Sequence, residues 1–422
     1  MRGDFRRAQC ALTVAALALL AAAIPWWAAP RAQDARPAVS RTGVLGGAEY
    51  LIEAPAEWAG GLVVFAHGIQ RGPGSGTVVA PPIANQILAR GHAWIASGYR
   101  EREYQPHLFI DDLLALRELF VKDVGRPRWA IIYGRSMGGH IVVASLEQHP
   151  GLYQGGLAEC GLVDGIGVAD YLMAYTAAAE LIAGVPLLDA PDRQAFARIL
   201  NERVVPALGR PGSYTDRGRQ FDSVMKYLMG GDDAGNDLPM RLQGLDQRYL
   251  MNMTYRDPDV EREPAPGARA ASTAHVRYRI DPGLGLTESE LNARVRRLHP
   301  AKDARSPALN PVYAEPTGRL TAPLLTLHET GDAWVPLSQE QSYRRRTLAA
   351  GTAHLLVQRA VRAPSHCGAD TETRMRAFDD LVAWMERGVR PDGEDLLARD
   401  LSRVGLKWTS ILYPEDPFFA RR

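Results

Sequence analysis

Residues 131–140 read Ile-Ile-Tyr-Gly-Arg-Ser-Met-Gly-Gly-His, and no other stretch constrains the chain as tightly. The apolar run Trp129 to Tyr133 has the character of a buried strand. It stops at Gly134-Arg135-Ser136-Met137-Gly138, and small and apolar residues through Ala144 then begin a helix. A sharp strand-to-helix turn of this kind holds its central serine in a strained conformation. Glycines are required at 134 and 138, where side chains would collide. Ser136 Oγ is thereby expected at the carboxyl edge of a sheet, over the positive end of a helix. The pattern Gly-x-Ser-x-Gly alone recurs by chance, and an ordinary turn serine is the alternative. The flanks favour the nucleophile.

The surrounding pattern alternates strands and helices. A hairpin is predicted from Thr42 to Glu53 and a short buried strand from Leu62 to Ala66. A helix over Pro82–Arg90, a strand over His92–Ser97 and an amphipathic helix over Phe109–Val124 follow, then the elbow and a strand over Gly155–Cys160. From 161 to 318 the alternation lapses into helical stretches (Tyr171–Gly184, Asp192–Leu208, Glu288–Leu298) separated by Pro, Gly and Asp clusters. It resumes with a strand at Leu324–His328, a helix at Ser338–Ala350, a strand at His354–Val361 and a helix at Thr371–Gly388. The fold class expected is α/β, a mainly parallel sheet covered on both faces. The core spans 42–160 and 319–390, a large and mostly helical cap occupies 161–318, and 391–422 form a C-terminal tail.

A serine hydroxyl needs a base to take its proton, and the base needs a carboxylate to fix its tautomer. Asp332 follows the resumed strand in His328-Glu329-Thr330-Gly331-Asp332-Ala333-Trp334-Val335-Pro336. Glu329 and Asp164 are rival acids, and a turn aspartate beside Gly331 is the plain reading of Asp332. His366 lies after the last strand and before the last helix, in Ala363-Pro364-Ser365-His366-Cys367-Gly368. A surface-loop histidine is its plain reading. His140 falls inside the elbow helix and His328 ends a strand, while His92, His107, His149, His275, His299 and His354 have no such context.

In this order of serine, acid and histidine the chain resembles the α/β-hydrolase superfamily. The spacing His-x-x-x-Asp-x-x-Val-Pro resembles the acid loop of that family, with Glu329 where glycine is usual. His67-Gly68 resembles its oxyanion loop. The resemblance implies the α/β-hydrolase fold, a triad of Ser136, Asp332 and His366, and an acyl-enzyme. It also implies an oxyanion hole from the backbone N–H groups of Met137 and Ile69. The chain is similar, too, to secreted esterases of the feruloyl esterase and tannase group, because Cys367 directly follows the histidine. In that group the bridging cysteine precedes the nucleophile, whereas Arg135 stands there in this chain. Cys160 ends the strand beside the nucleophile strand and offers another partner for Cys367. A Cys160–Cys367 disulfide and two unpaired thiols both remain open.

Arg2, Arg6 and Arg7 precede an apolar run from Cys10 to Ala29 and a small, polar stretch around Ala32. That layout is a signal peptide over residues 1–32, giving a periplasmic or secreted protein; Pro30 leaves an uncleaved N-terminal anchor as the alternative. Lysines and arginines number 49 against 48 acidic residues. A formal charge of +1 therefore offers nothing for nucleic acid or an anionic membrane surface. No cofactor and no metal are expected. Gly72 to Gly76 lacks the lysine and helix start of a phosphate loop. The Gly230–Asp237 run, with Asp232, Asp233, Asn236 and Asp237, misses a calcium-loop spacing and reads as a solvated turn. Tyr249, Met251, Met253, Tyr255 and Trp334 suit a substrate pocket or core packing equally. Arg241, Arg248 and Arg256 suit a substrate carboxylate or plain solvation. The function expected is ester hydrolysis on a small-molecule substrate. A peptidase of the prolyl-oligopeptidase type and a catalytically inactive binding protein are the alternatives.

Overall fold

Gly61–Ala66 (β3) is apolar along its whole length and buried on both faces, the mark of a central parallel strand. The computed structural model describes residues 38–70, 76–231, 240, 247–254, 270–300, 304 and 313–410. The N-terminal segment 1–32, Gly72–Ser75, Asp232–Asp237, Arg241, Tyr255, Arg256, the Tyr249 side chain, and Tyr413, Phe418 and Phe419 lie outside the described residues.

Val39–Leu45 (β1) and Ala48–Ala54 (β2) form an antiparallel hairpin, three residues longer at its start than the pattern predicts. Ala93–Ser97 (β4), Trp129–Arg135 (β5), Gly155–Glu159 (β6), Leu324–Glu329 and Leu356–Val361 complete an eight-stranded sheet. From edge to edge its order is β1, β2, β4, β3, β5, β6, Leu324–Glu329, Leu356–Val361. Every pairing from β4 onward is parallel. This is the α/β-hydrolase fold. Strand β3 shows how it is covered. Leu62 and Val64 face a cluster with Phe109, Leu113, Phe120, Ile141 and Val142, from helices Pro106–Asp123 (α2) and Met137–Gln148 (α3). Val63 and Phe65 face the opposite cluster with Ile87, Phe378, Leu381 and Trp384, from Ala84–Ala89 (α1) and the helix Thr371–Arg387.

Between β6 and Leu324 the described chain adds no strand to this sheet. It is mostly helical, with Gly167–Ala183 (α4) the longest helix. Its interior is separate: Tyr175, Phe196, Leu200, Phe221, Met225 and Met251 pack together, and Ala333 joins them from the acid loop. Arg193 to Leu208 is helical throughout, with one wide π turn at Leu200–Val204. Helix Asp216–Met229 is not evident from the pattern, although Thr215 caps it by accepting from the Gly218 N–H. The helix expected over Glu288–Leu298 ends at Arg294, where Val295 turns extended. There Arg297 donates to the Thr273 carbonyl at 3.2 Å, and Leu298 N–H donates to Thr273 Oγ1 at 2.8 Å. Tertiary partners thus take over from the helix.

The described part of the tail packs on the last strand. Arg362 is buried and donates to the carbonyls of Val404, at 2.5 Å, and Leu401, at 3.0 Å. Trp408 lies beneath the Arg359 guanidinium, 3.8 Å from its centre. Among the described residues no helix is long and apolar enough to cross a membrane.

Candidate active site

Ser136 joins β5 to α3 with φ 55° and ψ −121°, a region L-residues rarely occupy. The sequence permits this because the residues two before and two after it, Gly134 and Gly138, have no side chains. A Cβ on Gly134 would lie 2.1 Å from the Gly138 carbonyl oxygen, and one on Gly138 would lie 1.9 Å from that of Ala66. The turn is then pinned by backbone hydrogen bonds. Ser136 N–H donates to Glu159 O at 3.1 Å, and its carbonyl accepts from Leu162 N–H at 3.1 Å.

Three parallel connections bring the partners together. His366 Nε2 lies 2.9 Å from Ser136 Oγ, and His366 Nδ1 lies 2.6 Å from Asp332 Oδ2. Asp332 is fully buried, and its other oxygen accepts from Trp334 N–H at 2.9 Å and Val335 N–H at 3.1 Å. That Asx turn fixes the carboxylate toward the histidine. The Trp334 ring stacks on the imidazole at 5.3 Å. Asp164 and Glu329 have other partners. Asp164 accepts from Arg346 Nε at 2.7 Å, and Glu329 accepts from Ala369 N–H at 2.9 Å.

Met137 opens α3, so its N–H has no intrahelical acceptor. The loop after β3 closes over the serine from the other side: a Cβ on Gly68 would stand 3.4 Å from Ser136 Oγ. Gly68 and Ile69 line the same cavity as Ser136 and His366. Burial presses the neighbouring His67 imidazole down to about 4, so it is neutral and donates Nδ1–H to the Gly68 carbonyl at 2.6 Å. His140, buried and likewise lowered to about 4, takes a hydrogen bond from Tyr104 and gives one to the Ala314 carbonyl at 2.9 Å.

The cavity measures about 400 Å³. Ile69, Leu162, Val168, Leu172, Met253, Trp334 and Val335 give it an apolar lining, with Arg135 and Cys367 beside the serine. Of the residues picked out earlier for a pocket, Met253 and Trp334 reach it. Met251 is instead buried in the helical interior, and Arg248 donates to Asn201 at 3.1 Å on the surface. Leu162, Val168 and Leu172 carry no sequence signal that separates pocket from core.

Cys160 and Cys367 are joined by a disulfide, Cα atoms 5.1 Å apart. Beneath it lies a charge cluster that the sequence pattern does not disclose. Glu159, 1% exposed, accepts from Tyr133 Oη at 2.6 Å and Arg374 Nε at 2.8 Å, and pairs with Arg135 Nε at 3.2 Å. A glutamate ending an apolar strand is the one clue, since burial of an unpaired charge is costly. Burial first, then the charges of Glu159 and Asp332, push the Glu329 carboxyl up to about 7.

No family model matches this sequence, and no curated protein matches it. Solved structures do. The acylaminoacyl peptidase of Pyrococcus horikoshii is 13% identical, with 87% of this chain and 45% of that one covered and a TM-score of 0.43. Feruloyl esterase B from Aspergillus oryzae is 14% identical over 83% of this chain and 80% of that one, TM-score 0.45. Dipeptidyl peptidase 4 of Porphyromonas gingivalis is 10% identical over 83% of this chain and 35% of that one, TM-score 0.43. The chain thus spans less than half the length of these peptidases. Likenesses this distant assign no activity, and the fold assignment stands on the chain's own sheet order and elbow.

Proposed function

We propose that the chain is a serine hydrolase that cleaves a carboxylic ester through an acyl-enzyme. One observation carries the reading: an unbroken relay runs from Ser136 Oγ through His366 to buried Asp332, at the floor of an apolar cavity. His366 Nε2 takes the serine proton as Oγ attacks the ester carbonyl carbon. Asp332 holds Nδ1–H and stabilises the imidazolium that forms. Negative charge developing on the carbonyl oxygen meets the N–H groups of Met137 and Ile69, each donor worth about 10²–10³ in rate. The tetrahedral adduct collapses, and His366 returns the proton to the departing alkoxide. A water then repeats the sequence on the acyl-enzyme and frees the acid.

The lining favours an ester over a peptide. A peptide presents an N–H and a carbonyl at each residue and needs partners for them. The polar side chains at the cavity, Arg135, Ser136 and His366, are each already engaged. In this reading residues 161–318 act as a cap whose Val168, Leu172 and Met253 complete the pocket. The same reading exports the protein to the periplasm or beyond, supported by the Cys160–Cys367 bridge and the N-terminal layout.

A fluorophosphonate probe, applied to purified protein beside a Ser136→Ala control, tests the nucleophile. Labelling of the wild type alone, with turnover of p-nitrophenyl butyrate, is expected. Absent labelling sinks the proposal, and turnover of peptide amides without esters replaces it with a peptidase. Cell fractionation with an antibody checks export; a cytoplasmic pool only would refute it.

A further inference from the structure

The loop that carries His366 turns on Cys367, whose φ of 58° lies in the left-handed region. A non-glycine residue held there needs the surroundings to over-determine it. Three anchors do so. The Cys367 side chain is bridged to Cys160, and Ala369 N–H donates to buried Glu329. The third anchor is the Cys367 carbonyl, which accepts from two guanidinium groups, Arg135 at 2.9 Å and Arg374 at 3.0 Å. Both carbonyl lone pairs are therefore taken by charged donors, which make shorter and stronger hydrogen bonds than neutral ones. The two cations share one buried carboxylate, Glu159, itself fixed by Tyr133.

From this geometry we infer that Arg135, the residue before the nucleophile, is a positioning residue that sets the placement of His366 over Ser136 by gripping the Cys367 carbonyl. This rests on the reading of His366 as the base. Arg135 is suited to the role because its two ends have different tasks. Nε lies 3.2 Å from Glu159 as an ion pair without a hydrogen bond, and Nη2 donates to the Cys367 carbonyl, so one guanidinium ties the serine's strand to the histidine's loop. Strand β5 thereby presents both the serine and the brace that sets its distance to the base. A lysine has one point charge and cannot span both partners.

The test compares wild type, Arg135→Met and Arg135→Lys on p-nitrophenyl butyrate, with rates normalised to active sites titrated by fluorophosphonate. Arg135→Met is expected to fold, because the disulfide, Glu329 and Arg374 still hold the loop; an unchanged far-ultraviolet spectrum checks this. Its kcat should fall about 10–100-fold with KM changed less than about twofold, as expected when an interaction that matters in the transition state is lost. Arg135→Lys should restore little of kcat, because a point charge cannot replace the guanidinium fork. A raised KM with unchanged kcat would make Arg135 a substrate contact and overturn the proposal. A lowered melting temperature with normal kcat would overturn it too, leaving a purely structural residue. If wild type itself takes no label, the serine-hydrolase reading fails before this one is reached.

Discussion

His328 and Glu340 face each other in the interior, Nδ1 3.5 Å from Oε1, with neither side chain exposed to solvent. His328 also donates Nε2–H to the Val335 carbonyl at 2.7 Å, and Glu340 accepts from Thr326 at 2.6 Å and Gln358 at 2.6 Å. The pair thus holds the end of the acid loop that carries Asp332. Burial alone would lower the imidazole, but the adjoining Glu340 carboxylate, with the charges of Asp332 and Glu329, outweighs it and lifts His328 to about 9.

A folded-state value above the unfolded 6.5 stabilises the protein fully below about pH 6.5. The contribution is lost as pH rises through about 9. Urea unfolding at pH 6, 8 and 10 should show falling stability across that window. Glu340→Gln, which leaves His328 buried without its anion, should cost about 3–5 kcal/mol at pH 6 and flatten the alkaline slope. An unchanged slope in the variant would remove the pair as its origin.

Asp332→Asn retains an oxygen to accept from Trp334 and Val335 but offers His366 an amide in place of a carboxylate. The wrong tautomer should result. A loss of about 10⁴ in kcat is expected, with the melting temperature within a few degrees of wild type. Retention of more than a tenth of wild-type kcat would exclude Asp332 as the orienting acid.

Gly138→Ala places a methyl 1.9 Å from the Ala66 carbonyl oxygen, and backbone on both sides must yield. Destabilisation of several kcal/mol is expected, together with loss of fluorophosphonate labelling, because α3 cannot stay against β3. Gly151→Ala is the control for added side-chain bulk in a glycine turn: nothing lies within 4 Å of its Cβ, though its φ of 79° adds some strain. It should label normally.

The Cys160–Cys367 bridge closes a separation of 207 residues. Loop-closure entropy for a span of that size is about 5 kcal/mol. Cys160→Ser with Cys367→Ser should therefore melt well below wild type, and its turnover should fall because one anchor of the His366 loop is gone. Equal melting temperatures, with and without a reductant that cleaves the bridge, would contradict this.

Leu172 projects from α4 into the cavity. Leu172→Trp should shift preference toward shorter acyl chains, by about tenfold in the kcat/KM ratio of acetate to octanoate esters, since a methylene in an apolar pocket is worth roughly 1–3 kcal/mol. Identical chain-length profiles would place the acyl group elsewhere.

Much of this molecule is written locally. The run Trp129–Tyr133, the two glycines around Ser136 and the alternation of strands and helices each report a constraint that adjacent residues satisfy among themselves. Hence the elbow and the parallel sheet are legible in the amino-acid order, as is the serine, acid, histidine succession. The helical segment is less so. Asp216–Met229 needs the interior made by Tyr175, Phe221 and Met225 to become recognisable, and Glu288–Arg294 stops where Arg297 finds carbonyls 21 and more residues away.

What the tertiary structure alone decides is which distant groups meet. Spacing favours Asp332 over its rivals Glu329 and Asp164, but only the sheet aims its carboxylate at His366. Cys160 and Cys367 are bridged because the end of β6 and the loop after Leu356–Val361, two places along the sheet, bring their Cα atoms to 5.1 Å. Arg135, Glu159 and Arg374 come from three separate elements, and no spacing in the chain predicts that the two arginines share the Glu159 carboxylate and the Cys367 carbonyl. Periodicity records which face of an element is buried. It holds no record of what is buried against it, and charges find their partners there.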